Sequence, residues 1–389
     1  MVTLTGVFVI CVFALLFEIK LSENNRILES NKYQRIVNII TVCILILVAG
    51  MRNVGGTDFN VYRTIYSNTP KLMDFFRYFS SIDDRYAVFG MERGYLFLNS
   101  FCKTIGFSYY GFIFIHSAVV IGIIYAATRE YTDNFTIVIF IVLYKMFFYD
   151  FFISIRQTTT IALFMIMMKD IENQNWKRYY ILWVMCYLTH NSSMMLAVVY
   201  FIGRLKLSKK LLIRLNIIFI PMIIVSYLNL PIMRVLEPIL NFNIFSTEKT
   251  QEKAANLIMN GNEQESINWL HTIEYLGIMF FLVKFYDEIT EAFPKSDIMI
   301  KMFVCLLPIF TLFRNYILLT RIKDYFTISY GFILSYLCMI RNGKYKQLVV
   351  LATIGWCGLG YFRYIEAFDG GGLKRYVMNI FLGRSFFGR

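Results

Sequence analysis

Apolar runs recur along the chain at 2–17, 36–51, 109–128, 135–149, 151–168, 179–202, 211–229, 270–286, 298–319, 322–340 and 347–362, separated mostly by short polar segments. This pattern predicts an all-α, polytopic integral membrane protein of about 10–12 spans, a single transmembrane domain over 1–389 with no separate soluble part. Several runs fall short of the about 20 residues that a straight crossing needs, which predicts broken or re-entrant helices around an internal cavity. The first run has no basic leader and no A-x-A-like cleavage site, so it reads as a retained span and not as a signal peptide.

Lysine and arginine in the short loops set the orientation. The segments 18–35 (Lys20, Arg26, Lys32, Arg35), 169–178 (Lys169, Lys177, Arg178), 203–210 (Arg204, Lys206, Lys209, Lys210) and 341–346 (Arg341, Lys344, Lys346) are placed in the cytoplasm. A simple span over 179–202 would put two of those segments on opposite sides. The polar break Thr189-His190-Asn191-Ser192-Ser193 resolves this, because a chain that turns there sends two half-helices out and back. Non-helical backbone at such depth is tolerated only against protein or water. The segment 287–297 (Asp287, Glu288, Glu291, Asp297) is acidic and disobeys the scheme, although acidic residues weigh little in it.

Two long polar segments fall on the external side. The segment 52–108 is expected to be a loop containing a re-entrant or surface helix near Gly94–Ile105, and 230–269 an amphipathic loop or lid. No internal repeat is evident, which argues against an inverted-repeat transporter.

Composition changes this picture little. The chain is 57% hydrophobic and 18% aromatic with a formal net charge of +13. Its basic residues lie between spans, where membrane orientation and anionic lipid account for them, so nucleic acid is excluded as a partner. The seven cysteines are scattered singly, without C-x-x-C, and read as small core or lipid-facing residues.

The chemistry starts from Arg156-Gln157 inside the run 151–168. A guanidinium in an apolar span costs about 3 kcal/mol or more unless a polar partner meets it, so its default reading is a functional residue facing a cavity. The competing reading is an arginine that snorkels to the headgroups.

Arg52-x-x-Gly55-Gly56-Thr57-Asp58-x3-Tyr62, Glu92-x-Gly94-Tyr95, Arg156-Gln157, Leu188-Thr189-His190-Asn191-Ser192 and Arg321-x3-Tyr325-Phe326 follow one another along the chain. Together, over roughly residues 50 to 330, this set resembles the EpsG-like branch of the Wzy-type polysaccharide polymerases. The resemblance implies a membrane glycosyltransferase of GT-C type in a bacterial cytoplasmic membrane. Its substrates would be undecaprenyl-diphosphate-linked oligosaccharide repeat units, joined on the outer face, with a chain-length regulator as partner. The chain departs from the pattern at Gly55-Gly56-Thr57, where a single glycine is common before the aspartate, and at Ser193.

That reaction needs a cation for the departing diphosphate and a base for the acceptor hydroxyl. Arginine suits the first, because its planar fork makes charge-assisted bonds to phosphate and stays protonated. Arg156, Arg321 and Arg314 are candidates, expected to share one cavity near the outer ends of spans 151–168 and 298–319. Arg52 is a further candidate, and Gln157 is an orienting or sugar-binding amide. For Arg52 and Arg321 the plain alternative is a helix-end anchor. His190, Glu92 and Asp58 are the candidate bases, with competing roles as a satisfied core histidine, an ion-pair partner of Arg93 and a helix N-cap. Tyr62, Tyr66, Tyr95, Tyr109 and Tyr110 are sugar-stacking candidates or ordinary interfacial aromatics.

His116 reads as a packing residue and His271 as an interfacial one. No D-x-D, H-E-x-x-H or Cys/His cluster is present and Asp83-Asp84 reads as an isolated loop pair, so metal-independent transfer without cofactors is expected. Gly55-Gly56 and Gly370-Gly371-Gly372 read as turns. A ligase shares the donor chemistry. A flippase would spread polar residues through the membrane thickness, and an acyltransferase would give the histidine a cytoplasmic acid partner.

Overall fold

The computed structural model describes residues 2–23, 27–54, 56, 58–228, 268–315, 317–340 and 344–388. They are helical almost throughout, with no strand longer than an isolated bridge among them. The chain divides into two compact units, 1–205 with 330–389, and 206–329. Five helices are long and apolar enough to cross a membrane, within Thr3–Lys20, Lys32–Gly50, Tyr109–Thr128, Lys209–Tyr227 and Lys344–Ala367. The remaining apolar runs are shorter or broken helices.

The first unit begins with α1 (Val2–Glu23) and α2 (Ile27–Gly50), followed by α3 (Asp58–Asn68), α4 (Leu72–Arg77), α5 (Ile82–Tyr86) and α6 (Arg93–Ile105). The segment 52–108, expected as a loop with one re-entrant or surface helix near Gly94–Ile105, holds that helix as α6 and three more, α3 to α5, before it. Its helices hold together because Phe59, Tyr62, Ile65, Tyr66, Phe75, Ile82, Tyr95, Leu96 and Tyr109 bury their rings and chains in one cluster. Burying each such side chain is worth about 1.5–3 kcal/mol.

Next come α7 (Tyr109–Thr128) and α8 (Phe135–Lys145), the latter buried continuously from Phe135 to Leu143. A helix apolar all round belongs in the centre, and α8 packs against α1 and the helix Lys344–Ala367. The buried Glu18 of α1 accepts hydrogen bonds from Gln34 Nε2 at 2.9 Å and from the Thr136 N–H at 3.2 Å, tying α1, α2 and the first turn of α8.

The run 151–168 is not one helix. A π-helical turn spans Tyr149–Ile153, Ser154 leaves helical geometry at φ −93° and ψ 56°, and α9 then runs Ile155–Glu172. The break at 189–193 is present as expected. Helix α10 (Trp176–Thr189) stops at His190, which is extended at φ −157° and ψ 119°. A 3-10 turn covers Asn191–Met195, and α11 returns over Leu196–Arg204. The return is antiparallel: Trp183 Nε1 bonds the Ser193 carbonyl at 3.2 Å, Tyr180 the Ala197 carbonyl at 3.1 Å, and the Tyr179 and Tyr200 rings lie 5.0 Å apart. Arg204 reaches Gln174 Oε1 at 3.3 Å, so both basic ends of the hairpin lie together.

The second unit contains the helices Lys209–Phe219, Met222–Tyr227, Trp269–Lys284, Tyr286–Ala292, Ser296–Val304, Leu306–Phe310 and Ile317–Thr327. Pro221 and Pro308 stand where two apolar runs break. Proline lacks the N–H and collides with the carbonyl four residues earlier, which for Pro308 is Val304, the last residue of its helix. The acidic segment that disobeyed the charge pattern meets a basic one, with Lys209 Nζ 2.5 Å from Asp287 Oδ2. The expected lid at 230–269 lies outside the described residues, apart from Asn268 and Trp269, which open a helix.

Candidate active site

Three elements converge at the start of α6. Glu92 precedes the helix in extended conformation, φ −69° and ψ 142°, and turns its carboxylate toward α9 and the hairpin tip. Gly94 makes this approach possible, because a Cβ there would come within 2.7 Å of the Leu188 carbonyl oxygen at the end of α10. Any other residue would push α6 off the hairpin.

The Glu92 carboxylate is shared among donors. Its Oε1 lies 3.2 Å from His190 Nδ1 and accepts the Asn191 N–H at 3.2 Å, while Oε2 accepts from Arg156 Nη1. The guanidinium is placed from its other edge by Tyr62, whose hydroxyl accepts from Nε at 3.2 Å and whose ring lies 5.7 Å from the guanidinium carbon. Tyr62 is itself held edge-on by Tyr95, 5.6 Å centroid to centroid. Burial opposes ionisation of Glu92, but the His190 hydrogen bond and the Arg156 charge outweigh it and hold the carboxyl down at about 2. Glu92 is thus an anion at neutral pH, and His190 meets it through Nδ1–H. In the neutral ring this assigns the lone pair to Nε2.

Arg156 and Glu92 have partial access to the site, at 18% and 10% side-chain exposure. Arg156 stands in the first turn of α9, at the break, and not two turns inside a continuous span as the apolar run suggested. Gln157, its neighbour, is buried and its carbonyl accepts from Thr160. Asp58 opens α3, directly after the turn in which Gly56 takes φ +66° against Ile153 of the π-helical turn. A carboxylate in a first turn is favourable there, and with Asp58 inside α3 the N-cap position expected for it falls outside the described residues.

Arg52 is fully buried. Its Nη1 bonds the Ala49 carbonyl at 2.5 Å, Phe152 covers it at 5.3 Å, and Nε and Nη2 have no hydrogen-bond partner. Burial lowers its pKa to about 10, which still leaves it charged at neutral pH. Its backbone is stitched to the C-terminal segment, where Asn379 Nδ2 bonds the Arg52 carbonyl at 2.5 Å. Arg314 and Arg321 belong to the second unit. Arg314 occupies the turn after Leu306–Phe310, buried, with its guanidinium 3.6 Å above the Trp269 ring, whereas Arg321 is exposed on the helix Ile317–Thr327.

Several expectations are corrected. Arg93 pairs with Asp83 in two bonds of 2.8 and 2.9 Å, not with Glu92, and Asp83 lies on α5 and not in a loop. Tyr62, Tyr66, Tyr95 and Tyr109 are core residues, with Tyr66 and Tyr109 bonded to the carbonyls of Phe107 and Phe59, so they offer no open platform for sugar. His116 packs on Phe112 at 5.9 Å, and its Nε2 lies 2.7 Å from Thr159 Oγ1 one turn beyond Arg156. The sequence signal for Tyr62 was its fixed place four residues after Asp58; nothing in the sequence marks Thr159.

A helical protein with five apolar helices long enough to cross a membrane among its described residues, in which a broken helix and a turned-back hairpin bring arginine, carboxylate and imidazole together, belongs among the multi-pass membrane proteins. The chain is a member of the EpsG family, which it matches over residues 35–378. That family is one of polysaccharide polymerases. No curated protein and no solved structure matches the chain.

Proposed function

We propose that the Arg156–Glu92–His190 cluster is the catalytic centre of a metal-independent glycosyl transfer, of GT-C type, that joins undecaprenyl-diphosphate-linked repeat units on the outer face of the cytoplasmic membrane. The observation that carries this reading is one carboxylate receiving both a guanidinium and an imidazole from separate helices.

The roles follow from the hydrogen bonds. Glu92 fixes the His190 tautomer, and Nε2 takes the proton of the acceptor hydroxyl as its oxygen bonds the anomeric carbon of the donor glycan. The bond from that carbon to the lipid diphosphate breaks, and the electron pair leaves with the diphosphate. Arg156 has donors beyond those used by Glu92 and Tyr62, and these neutralise the departing charge. Glu92 itself already accepts three hydrogen bonds and is a poor base at its depressed pKa. This favours His190 among the candidate bases, with Asp58 more distant in role.

The test uses purified protein in detergent with lipid-linked repeat unit. Wild-type protein elongates it, and Arg156→Ala leaves single units unconsumed while remaining folded. Long chains of normal abundance from Arg156→Ala would make Arg156 a snorkelling residue. An inert wild-type protein would favour transport of the lipid-linked unit instead.

A further inference from the structure

We propose that the groove between α1 and α2 binds one acyl chain of an anionic glycerophospholipid at the basic end of these two helices. The groove has a volume of about 510 Å³ and is lined by Ile10, Phe13, Ala14, Leu16, Phe17 and Lys20 of α1 and Val37, Ile40 and Thr41 of α2. It lies away from the residues assigned to glycosyl transfer and does not rest on that assignment.

Its shape follows from the sequence. Ile10, Phe13, Ala14 and Phe17 fall at the i, i+3, i+4, i+7 positions of one face, and Val37, Ile40 and Thr41 make the matching face of α2. The small, buried Ala14 and Thr41 form the floor, while Phe13 and Ile40 stand out as walls, 67% and 51% exposed. The floor asks for no polar partner, since Thr41 Oγ1 bonds the Val37 carbonyl at 2.9 Å. From Ile10 to Lys20 the trough extends about 15 Å at the rise of an α-helix, the length of a dozen or so methylenes.

The mouth is polar and cationic. Lys20 closes the crossing segment Thr3–Lys20. Tyr33, exposed, lies one turn beyond Val37 on the groove face, and the exposed Lys32 and Arg35 occupy the same end of α2. An ammonium at the end of an apolar trough with a tyrosine at the rim is the arrangement that holds a phosphate headgroup at an interface. Glu18, two residues before Lys20, is buried and occupied by Gln34 and Thr136, and the exposed Asp133, whose carbonyl also accepts from Gln34, is outnumbered at this end by Lys20, Lys32 and Arg35. An apolar trough ending in cations fits a lipid whose chain is apolar and whose headgroup is anionic.

Full-length protein, delipidated in detergent, is titrated with phosphatidylglycerol or phosphatidylcholine of identical chains, and bound lipid is counted by native mass spectrometry. Phosphatidylglycerol is expected to bind about five-fold tighter, the factor that one lysine near an anionic surface supplies. Lys20→Gln removes that preference, and Ala14→Phe, which fills the trough, lowers retention of both lipids. Ile40→Trp narrows the groove from the other helix and serves if Ala14→Phe fails to fold. Equal binding of the two lipids by wild type, or variants that bind as wild type does, overturns the proposal. So does loss of the phosphatidylglycerol adduct to substoichiometric undecaprenyl phosphate, which would assign the groove to a substrate lipid.

Discussion

A part-buried arginine of the first unit and a buried one of the second solve the same problem differently. Arg156 meets a carboxylate and a phenol, and that carboxylate in turn holds a histidine. Arg314 stacks on Trp269, with the Tyr227 phenol near enough to act on its charge, and its Nε and Nη1 make no hydrogen bond among the described residues. An ion pair fixes a guanidinium in direction and links it to further chemistry; an aromatic face fixes it only in position. Arg156 is thereby tied through Glu92 to His190, whereas Arg314 is held against a single ring.

The largest effect is expected from breaking the shared carboxylate. Glu92→Ala strands a part-buried guanidinium and frees the imidazole, which should lower stability by about 3–5 kcal/mol and abolish long polymer. Thermal unfolding and product length, read on the same preparation, check both parts.

His190→Gln comes next. It keeps a hydrogen-bonding group of similar size, so the unfolding temperature should hold while turnover falls by about 10²–10⁴, the usual contribution of a general base. Turnover within a few-fold of wild type would move the base to Asp58.

The pH dependence of stability distinguishes the two regions further. Glu92 is depressed in the folded protein to about 2. Its contribution of roughly 3 kcal/mol is therefore fully present above the ordinary carboxylate range and lost as pH falls through about 2. Wild type should lose that increment on acidification and Glu92→Gln should not, measured by denaturant unfolding between pH 6 and 3, where the loss begins.

The smallest effect belongs to the second unit. Arg314→Met and Trp269→Leu should each cost about 1–2 kcal/mol, and the double variant no more than the larger of them, because both remove one cation–π contact. A pH–rate profile changed by Arg314→Met would show that the two arginines are not separable in function.

Much of this was legible from residues alone. The hairpin followed from loop charge and one polar pentapeptide, since 179–202 as a single span would have split two basic loops. Arg156 and His190 were recognisable as polar groups inside apolar runs, and Glu92 through its place in the motif set of the resemblance. Their mutual contacts were not legible, because Glu92 lies 64 residues from Arg156 and 98 from His190 and only packing joins them. The partner of Glu92 was misread for a similar reason: Arg93 adjoins it in sequence, but a helix start points neighbours in different directions, and Arg93 turns to Asp83. The helix at 151–168 was misjudged because hydropathy cannot register a π-helical turn.

Helix α6 begins one residue after Glu92, and α9 one residue before Arg156. Each helix start presents unsatisfied amides equivalent to about half a positive elementary charge, so the two together supply about one charge that no side chain carries. Arg156 and Glu92 offset each other in net charge, and this backbone charge leaves the junction of the two helix starts net positive. Removing Arg156 would leave the Glu92 carboxylate to offset the charge of both helix starts.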